Sequence, residues 1–419
     1  MRLLYSVLWW LALPLVLGRL WWRGFKEPGY RRHWAERLGF YGRRPAPRHS
    51  IWVHAVSVGE TRAAEPLIDA LMQAWPGSRI VLTHMTPTGR ATGAALFGKH
   101  GERLVQAYLP YDTQFMVKRF LRHFDPRICI LMETEVWPNL IAACAGRVPV
   151  ALVNARLSER SLRRGQRFGR LMSDAARAIT LVAAQTEADA ARIRSLGAPR
   201  VVVTGSIKFD VVVPPAALQT GAWLRDRIGA RPVLLCASTR DGEEQLILDA
   251  LQAARGLPPD LLLLIVPRHP QRFDEVARLV AARGLSVQRR AQLDGPVTAQ
   301  VLLGDSMGEM FAYYAACDLA FIGGSLLPLG GQNLIEACAL GKPVLIGPHT
   351  FNFAQVTEEA IAAGGALCVA DGAALFAETA RLLSDEGARG TMGGRGVAFS
   401  NHHRGATLRT VGALRPLLH

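Results

Sequence analysis

The stretch RVVVTGSIKFDVVVPPAAL, residues 200–218, decides the fold because one series of strands ends in it and another begins after it. Its first half is a β-branched run that stops at Gly205. Its second half carries Pro214 and Pro215, which fix φ, cannot donate to a strand ladder and so mark a connector. Before this stretch, the short apolar runs IWVHAVSV (51–58), RIVLTHM (79–85), RICILM (127–132), PVALVNA (149–155) and ITLVAAQ (179–185) alternate with helix-like segments. After it come PVLLCAST (232–239), LLLLIVPRHP (261–270), VLLGDSM (301–307), LAFIGGS (319–325), KPVLIGP (342–348) and GALCVA (365–370). Near-continuous apolar runs of this length are strands buried on both faces, as in parallel sheets. Strands alternating with helices give right-handed βαβ units. The expectation is α/β: two Rossmann-like doubly wound domains, 49–210 and 211–419, facing a central cleft, with an N-terminal membrane-anchoring helix. Ligands then belong beyond the carboxyl ends of the strands.

The 419 residues suit two domains, and half of them are hydrophobic, which excludes a disordered chain. The net charge is +15, and residues 1–48 carry ten Lys/Arg against two acids, so about half the excess lies in that segment. No nucleic-acid-binding module is recognisable, and the basic residues adjoin a greasy segment, so anionic lipid is the expected partner and nucleic acid is not. Residues 3–17 are uncharged, and Trp9, Trp10, Trp21 and Trp22 with Arg19 and Arg23 resemble an interfacial belt. A span needs about 20 apolar residues, so the segment crosses a bilayer, lies in its surface or packs as an apolar first helix on the protein itself. No small-residue cleavage site follows it. The six cysteines form no ligand pair and read as buried apolar residues.

In the second half the densest constellation is Gly323-Gly324-Ser325 followed by GGQNLIEA (330–337). Glycines let a phosphate approach the backbone, and a helix expected from Gln332 to Gly341 would add N–H donors and a dipole. Asn333 and Glu336, three apart, would share a face of it. Pro267-Arg268-His269-Pro270 places a cation at another strand end, and Asp305-Ser306-Met307-Gly308-Glu309 a third polar loop. In the first half, Ser57-Val58-Gly59-Glu60 is a capping box on one reading and carries a general base, Glu60, on the other. Arg90 follows the second strand as a potential anion ligand. Glu133 and Glu135 follow the strand RICILM, where the helix dipole would favour them. They lack a third ligand at metal spacing, so no metal and no cofactor is expected.

These residues resemble the 3-deoxy-D-manno-octulosonic acid (Kdo) transferases of lipopolysaccharide synthesis. The likeness runs through the N-terminal segment, HAVSVGE (54–60), TPTGR (86–90), ETEVWPN (133–139), GSIKFD (205–210), PRHP (267–270), DSMGEM (305–310), GGS (323–325) and GGQNLIEA (330–337). One departure is Ser206, where the family's linker motif has Asn. The resemblance implies a GT-B fold and transfer of Kdo from CMP-Kdo to the lipid A precursor at the cytoplasmic face of the inner membrane. It implies Glu60 as catalytic base, with Arg90 and Glu133 aiding catalysis or holding substrates. For the donor it implies Pro267 and Arg268 at the CMP, Met307, Gly308 and Glu309 in the nucleotide pocket, and Asn333 with Glu336, beside the Gly323-Gly324 turn. A GT-B transferase using a UDP-sugar, or a sugar-nucleotide epimerase, would share the architecture. The motif set speaks against the first, and the lipid-facing N-terminus against the second.

Overall fold

Alternation of buried side chains builds each sheet. The computed structural model describes residues 1–43, 49–167 and 169–418; the end of the basic segment, 44–48, lies outside them. Among the described residues fourteen strands form, the first series being β1 (Ser50–His54), β2 (Arg79–His84), β3 (Leu104–Tyr108), β4 (Pro126–Met132), β5 (Val150–Ala155), β6 (Leu181–Ala184) and β7 (Val201–Val203). The second series is β8 (Val233–Thr239), β9 (Leu262–Pro267), β10 (Val287–Arg289), β11 (Val301–Leu303), β12 (Leu319–Ile322), β13 (Val344–Ile346) and β14 (Ala366–Cys368). They make two seven-stranded sheets, ordered β3-β2-β1-β4-β5-β6-β7 and β10-β11-β9-β8-β12-β13-β14. The pairings are parallel, so both faces need cover and the strands read as apolar runs. In the first sheet, Ile51, Val53, Ile80, Leu82, Ile128 and Ile130 point into one core, while Trp52, Val81, Cys129 and Leu131 point into the other.

Two strands escape the sequence reading. β3 and β10 are edge strands, and β10 is only half-buried, so neither carries an unbroken apolar run.

Contacts divide the chain into one unit of Met1–Asp210 with Arg404–His419 and another of Val211–His403. The sequence boundaries left the last residues in the second domain; this is a correction. The helix Ala406–Leu414 buries Ala406, Val411 and Leu414 against Ile51, Leu67, Ile68 and Leu71 of the first unit. Asp210 holds the start of this helix: its Oδ1 accepts from Gly405 N at 2.6 Å, and its Oδ2 accepts from Thr407 N. A contact between residues so far apart in sequence leaves no local signal.

The N-terminal segment is one helix, Arg2–Lys26, long and apolar enough to cross a membrane by length and composition. One side of it docks on the first unit. Leu13 and Leu20 pack with Tyr30, Tyr111 and Met116; Tyr5 Oη donates to Asp112 Oδ2 at 2.9 Å, and Ser6 Oγ to Asn139 Oδ1 at 3.1 Å. The other side leaves Leu3, Leu11, Leu15, Trp22 and Phe25 exposed.

Candidate functional site

In each unit, strand order reverses beside the first strand: between β1 and β4 in one, between β8 and β12 in the other. A crevice opens at such a switch point because the crossovers on its two sides leave in opposite directions. The first turn of the helix after β1 holds Glu60, and the loop after β4 holds Glu133 and Glu135.

Ser57 begins the helix Val58–Ala63, accepting from Glu60 N, so the capping box exists. The reciprocal bond is altered. Glu60 Oε2 accepts from Val56 N at 2.9 Å, and Ser57 Oγ donates to Oε1 at 3.3 Å. Burial, aided by the charges of Glu135 and Glu133, raises the Glu60 pKa from an ordinary 4.5 to about 7, against the pull of the Val56 N–H. Glu135, half-buried, is also raised, first by burial and then by Glu133, while Trp137 Nε1 donates to it at 2.8 Å. Three carboxyls therefore share one edge, and the negative charges of Glu133 and Glu135 act on Glu60. A carboxyl tuned near neutrality can take a proton from a hydroxyl at working pH.

Glu133 sits at φ +57°, a left-handed conformation that costs a non-glycine residue about 1–2 kcal/mol. The backbone holds it there through Glu133 N donating to Val153 O at 3.0 Å. Its carboxylate receives Lys208 Nζ at 2.7 Å and faces Asn154 Nδ2. Lys208 and Asn154 were not singled out from the sequence, although Lys208 lies inside GSIKFD. Arg90 stands apart. Its Nη1 donates to Glu36 Oε2 at 2.6 Å and its guanidinium lies 4.9 Å from the Tyr108 ring centre, while Glu36 also accepts from Tyr108 N. Among the described residues no hydrogen bond or ion pair joins Arg90 to Glu60.

In the second unit the Gly323-Gly324 turn differs from expectation. A Cβ on Gly323 would lie 2.7 Å from Ser238 O, so glycine is needed for β12's exit to pass β8 closely. Gly324 has φ +71°. Yet the N–H groups of Gly324, Ser325 and Leu326 all donate to Glu243, which is fully buried and also accepts from Arg240 N at 2.9 Å. A carboxylate of the chain itself already fills the cradle read as a phosphate seat. The expected helix from Gln332 is a second correction. Only Ile335–Ala339 is helical, because Gly330 and Gly331 both take positive φ and Asn333 Oδ1 turns back to accept from Ile335 N at 3.1 Å. Asn333 and Glu336 nevertheless meet, Nδ2 donating to Oε1 at 3.1 Å.

Pro267 ends β9 in the core, and Arg268 follows it at the exposed edge. Ser306 bridges Glu309 and Tyr313, and Arg290 Nη2 donates to Glu309 Oε1 at 2.9 Å. Gly308, at φ +84°, turns the loop so that Met307 points outward, 60% exposed. Glu243, Arg240 and Arg290 are the residues that sequence reasoning missed here. The first two sit in TRDGEE (239–244), directly after the apolar run of β8, which was the available signal.

The family model of 3-deoxy-D-manno-octulosonic-acid transferase (kdotransferase) matches residues 32–211. A curated Bordetella pertussis protein of that name is 47% identical, the match covering 97% of this chain and 96% of the relative. One from Haemophilus influenzae is 38% identical over 100% and 99%. Among solved structures, UDP-GlcNAc 2-epimerase from Neisseria meningitidis covers 88% of this chain and 100% of its own, at 17% identity and TM-score 0.59, a likeness of fold in the GT-B manner. The chain belongs to the 3-deoxy-D-manno-octulosonic acid transferase family and is a glycosyltransferase of the two-sheet GT-B class.

Proposed function

We propose that the protein moves Kdo from CMP-Kdo to the glucosamine 6-hydroxyl of a lipid A precursor with inversion, Glu60 acting as base. The observation that carries the reading is the half-buried Glu60 carboxyl beside Glu133 and Glu135, its pKa lifted to about 7. The hydroxyl oxygen attacks the anomeric C2 of Kdo while Glu60 takes its proton. The bond from C2 to the phosphate oxygen breaks, and CMP leaves with the electron pair. Attack opposite the leaving group inverts the centre. Glu133, fixed by Lys208, keeps Glu60 basic through its charge. Arg268, Met307, Gly308, Glu309, Asn333 and Glu336 receive the donor, with Pro267, Gly323 and Gly324 shaping the loops that carry them.

The helix Arg2–Lys26 meets lipid through its bare apolar side. Because it is pinned to the first unit from Tyr5 to Trp21, which packs on Trp34, it lies flat on the cytoplasmic surface of the inner membrane. The acceptor, with acyl chains in the same bilayer, is then presented to the enzyme from the lipid side. Thermal melting of the whole protein with single nucleotides tests the donor. CMP should raise the melting temperature more than UMP or GMP; protection by UMP instead would reassign the donor to a UDP-sugar.

A further inference from the structure

Charged groups crowd the switch point of the second unit in a way the donor assignment above leaves unused. Arg240 follows β8 directly, at the carboxyl end of the strand beside which the order reverses. Arg268 follows β9, the next strand. Burial and then the charges of the Arg240, Arg268 and Arg272 guanidiniums hold the His269 imidazole below its ordinary pKa. They are not equivalent. Arg272 is answered by Glu244 at 2.7 Å, Glu275 at 2.9 Å and Asp241 at 3.4 Å. The Arg240 guanidinium makes no hydrogen bond or ion pair among the described residues. Its Cγ lies 3.5 Å from where a Cβ on Gly324 would stand, a point that Gln332 Nε2 approaches to 3.2 Å.

The backbone around it is spoken for. One oxygen of Glu243, Oε2, accepts from both Arg240 N and Gly324 N, and Oε1 accepts from Ser325 N and Leu326 N. An anion arriving at this edge therefore finds few loop N–H groups and must be met by side chains. A guanidinium with five donors and no carboxylate partner, carried by a half-buried residue, suits a phosphate.

The geometry points to Arg240 as a direct ligand of the phosphate of a nucleoside-monophosphate sugar, acting with Arg268, and to Glu243 as the positioning residue that ties Arg240 to the glycine turn. This deepens the donor reading and rests on it. Without Arg240 the leaving phosphate loses a charge-assisted fork, and affinity for the nucleotide falls while affinity for the nucleoside does not.

Calorimetry of the full chain in detergent, with CMP and with cytidine, tests the inference. R240Q should weaken CMP binding about 10- to 100-fold, as loss of a charged hydrogen bond does, and leave cytidine binding unchanged. R240K, which keeps the charge but loses the fork, should fall between. Equal CMP affinity in R240Q and the parent overturns the inference. A parent that binds UMP in preference to CMP overturns the donor reading, yet an R240Q loss confined to the nucleotide would still place the phosphate on Arg240. A parent that binds no nucleotide overturns both. Should R240Q melt early without ligand, R240K carries the comparison, and CMP binding equal to the parent would again refute the role.

Discussion

Glu60→Gln separates a catalytic carboxyl from a helix cap by the sign of its effect on stability. A carboxyl lifted from 4.5 to about 7 is disfavoured in its charged form by about 3 kcal/mol at most, at 1.36 kcal/mol per pH unit. The folded state holds the proton more tightly than the unfolded chain does. Below pH 4.5 the group is protonated in both states and costs nothing. Between pH 4.5 and 7 the cost grows, and above pH 7 it is present in full. Glutamine keeps an oxygen for the Val56 N–H and carries no charge. The variant should therefore melt several degrees higher than the parent at pH 8 and nearly level with it at pH 4.5. Turnover should fall 10²- to 10⁴-fold, the usual cost of losing a general base. In the parent, kcat/KM should rise about tenfold per pH unit up to pH 7 and then level, because the deprotonated form is the active one. A cap alone predicts the reverse: about 1 kcal/mol of stability lost at every pH, with turnover intact. Melting curves at the two pH values, with initial rates at pH 8, decide between them. A variant that is less stable at pH 8 and near-normal in rate would refute the reasoning.

Three other perturbations follow from the same contacts. Lys208→Met leaves the Glu133 charge unanswered beside Glu60, so the acid limb of the pH–rate profile should move to higher pH; an unmoved limb would detach Glu133 from the base. Asp210→Ala removes two N–H acceptors from the start of the helix Ala406–Leu414 and should cost about 1–2 kcal/mol in denaturant unfolding. Replacing the exposed Leu11 and Leu15 by Asp leaves the buried side of the N-terminal helix intact, so sedimentation with anionic vesicles should drop at least tenfold while the melting temperature holds.

Sequence reading is strongest where burial imposes a pattern. IWVH, RICILM and VLLCAST read as strands because both faces of a parallel sheet are covered. The same logic fails for LVQAY and VQR, which lie at edges. Loop positions were legible too, since the end of a buried strand must release its polar residues somewhere. What those residues do there was not. Glu243 begins a helix, and nothing local announces that its carboxylate fills the glycine turn some eighty positions later. Likewise the helix expected from Gln332 is delayed to Ile335 by the two positive-φ glycines before it and the turn made by Asn333. Asp210, read as the end of a linker motif, is the anchor of the C-terminal helix.

The central claim is a single transfer reaction, and its product can be weighed. The purified full chain would be mixed with CMP-Kdo and a tetra-acylated lipid A precursor, and the lipid fraction analysed by mass spectrometry. The account predicts the acceptor mass increased by one or more Kdo residues, with CMP released in equal amount and the increase abolished in Glu60→Gln. An unmodified acceptor with CMP-Kdo, alongside a glycosylated one when a UDP-sugar is supplied instead, would contradict it.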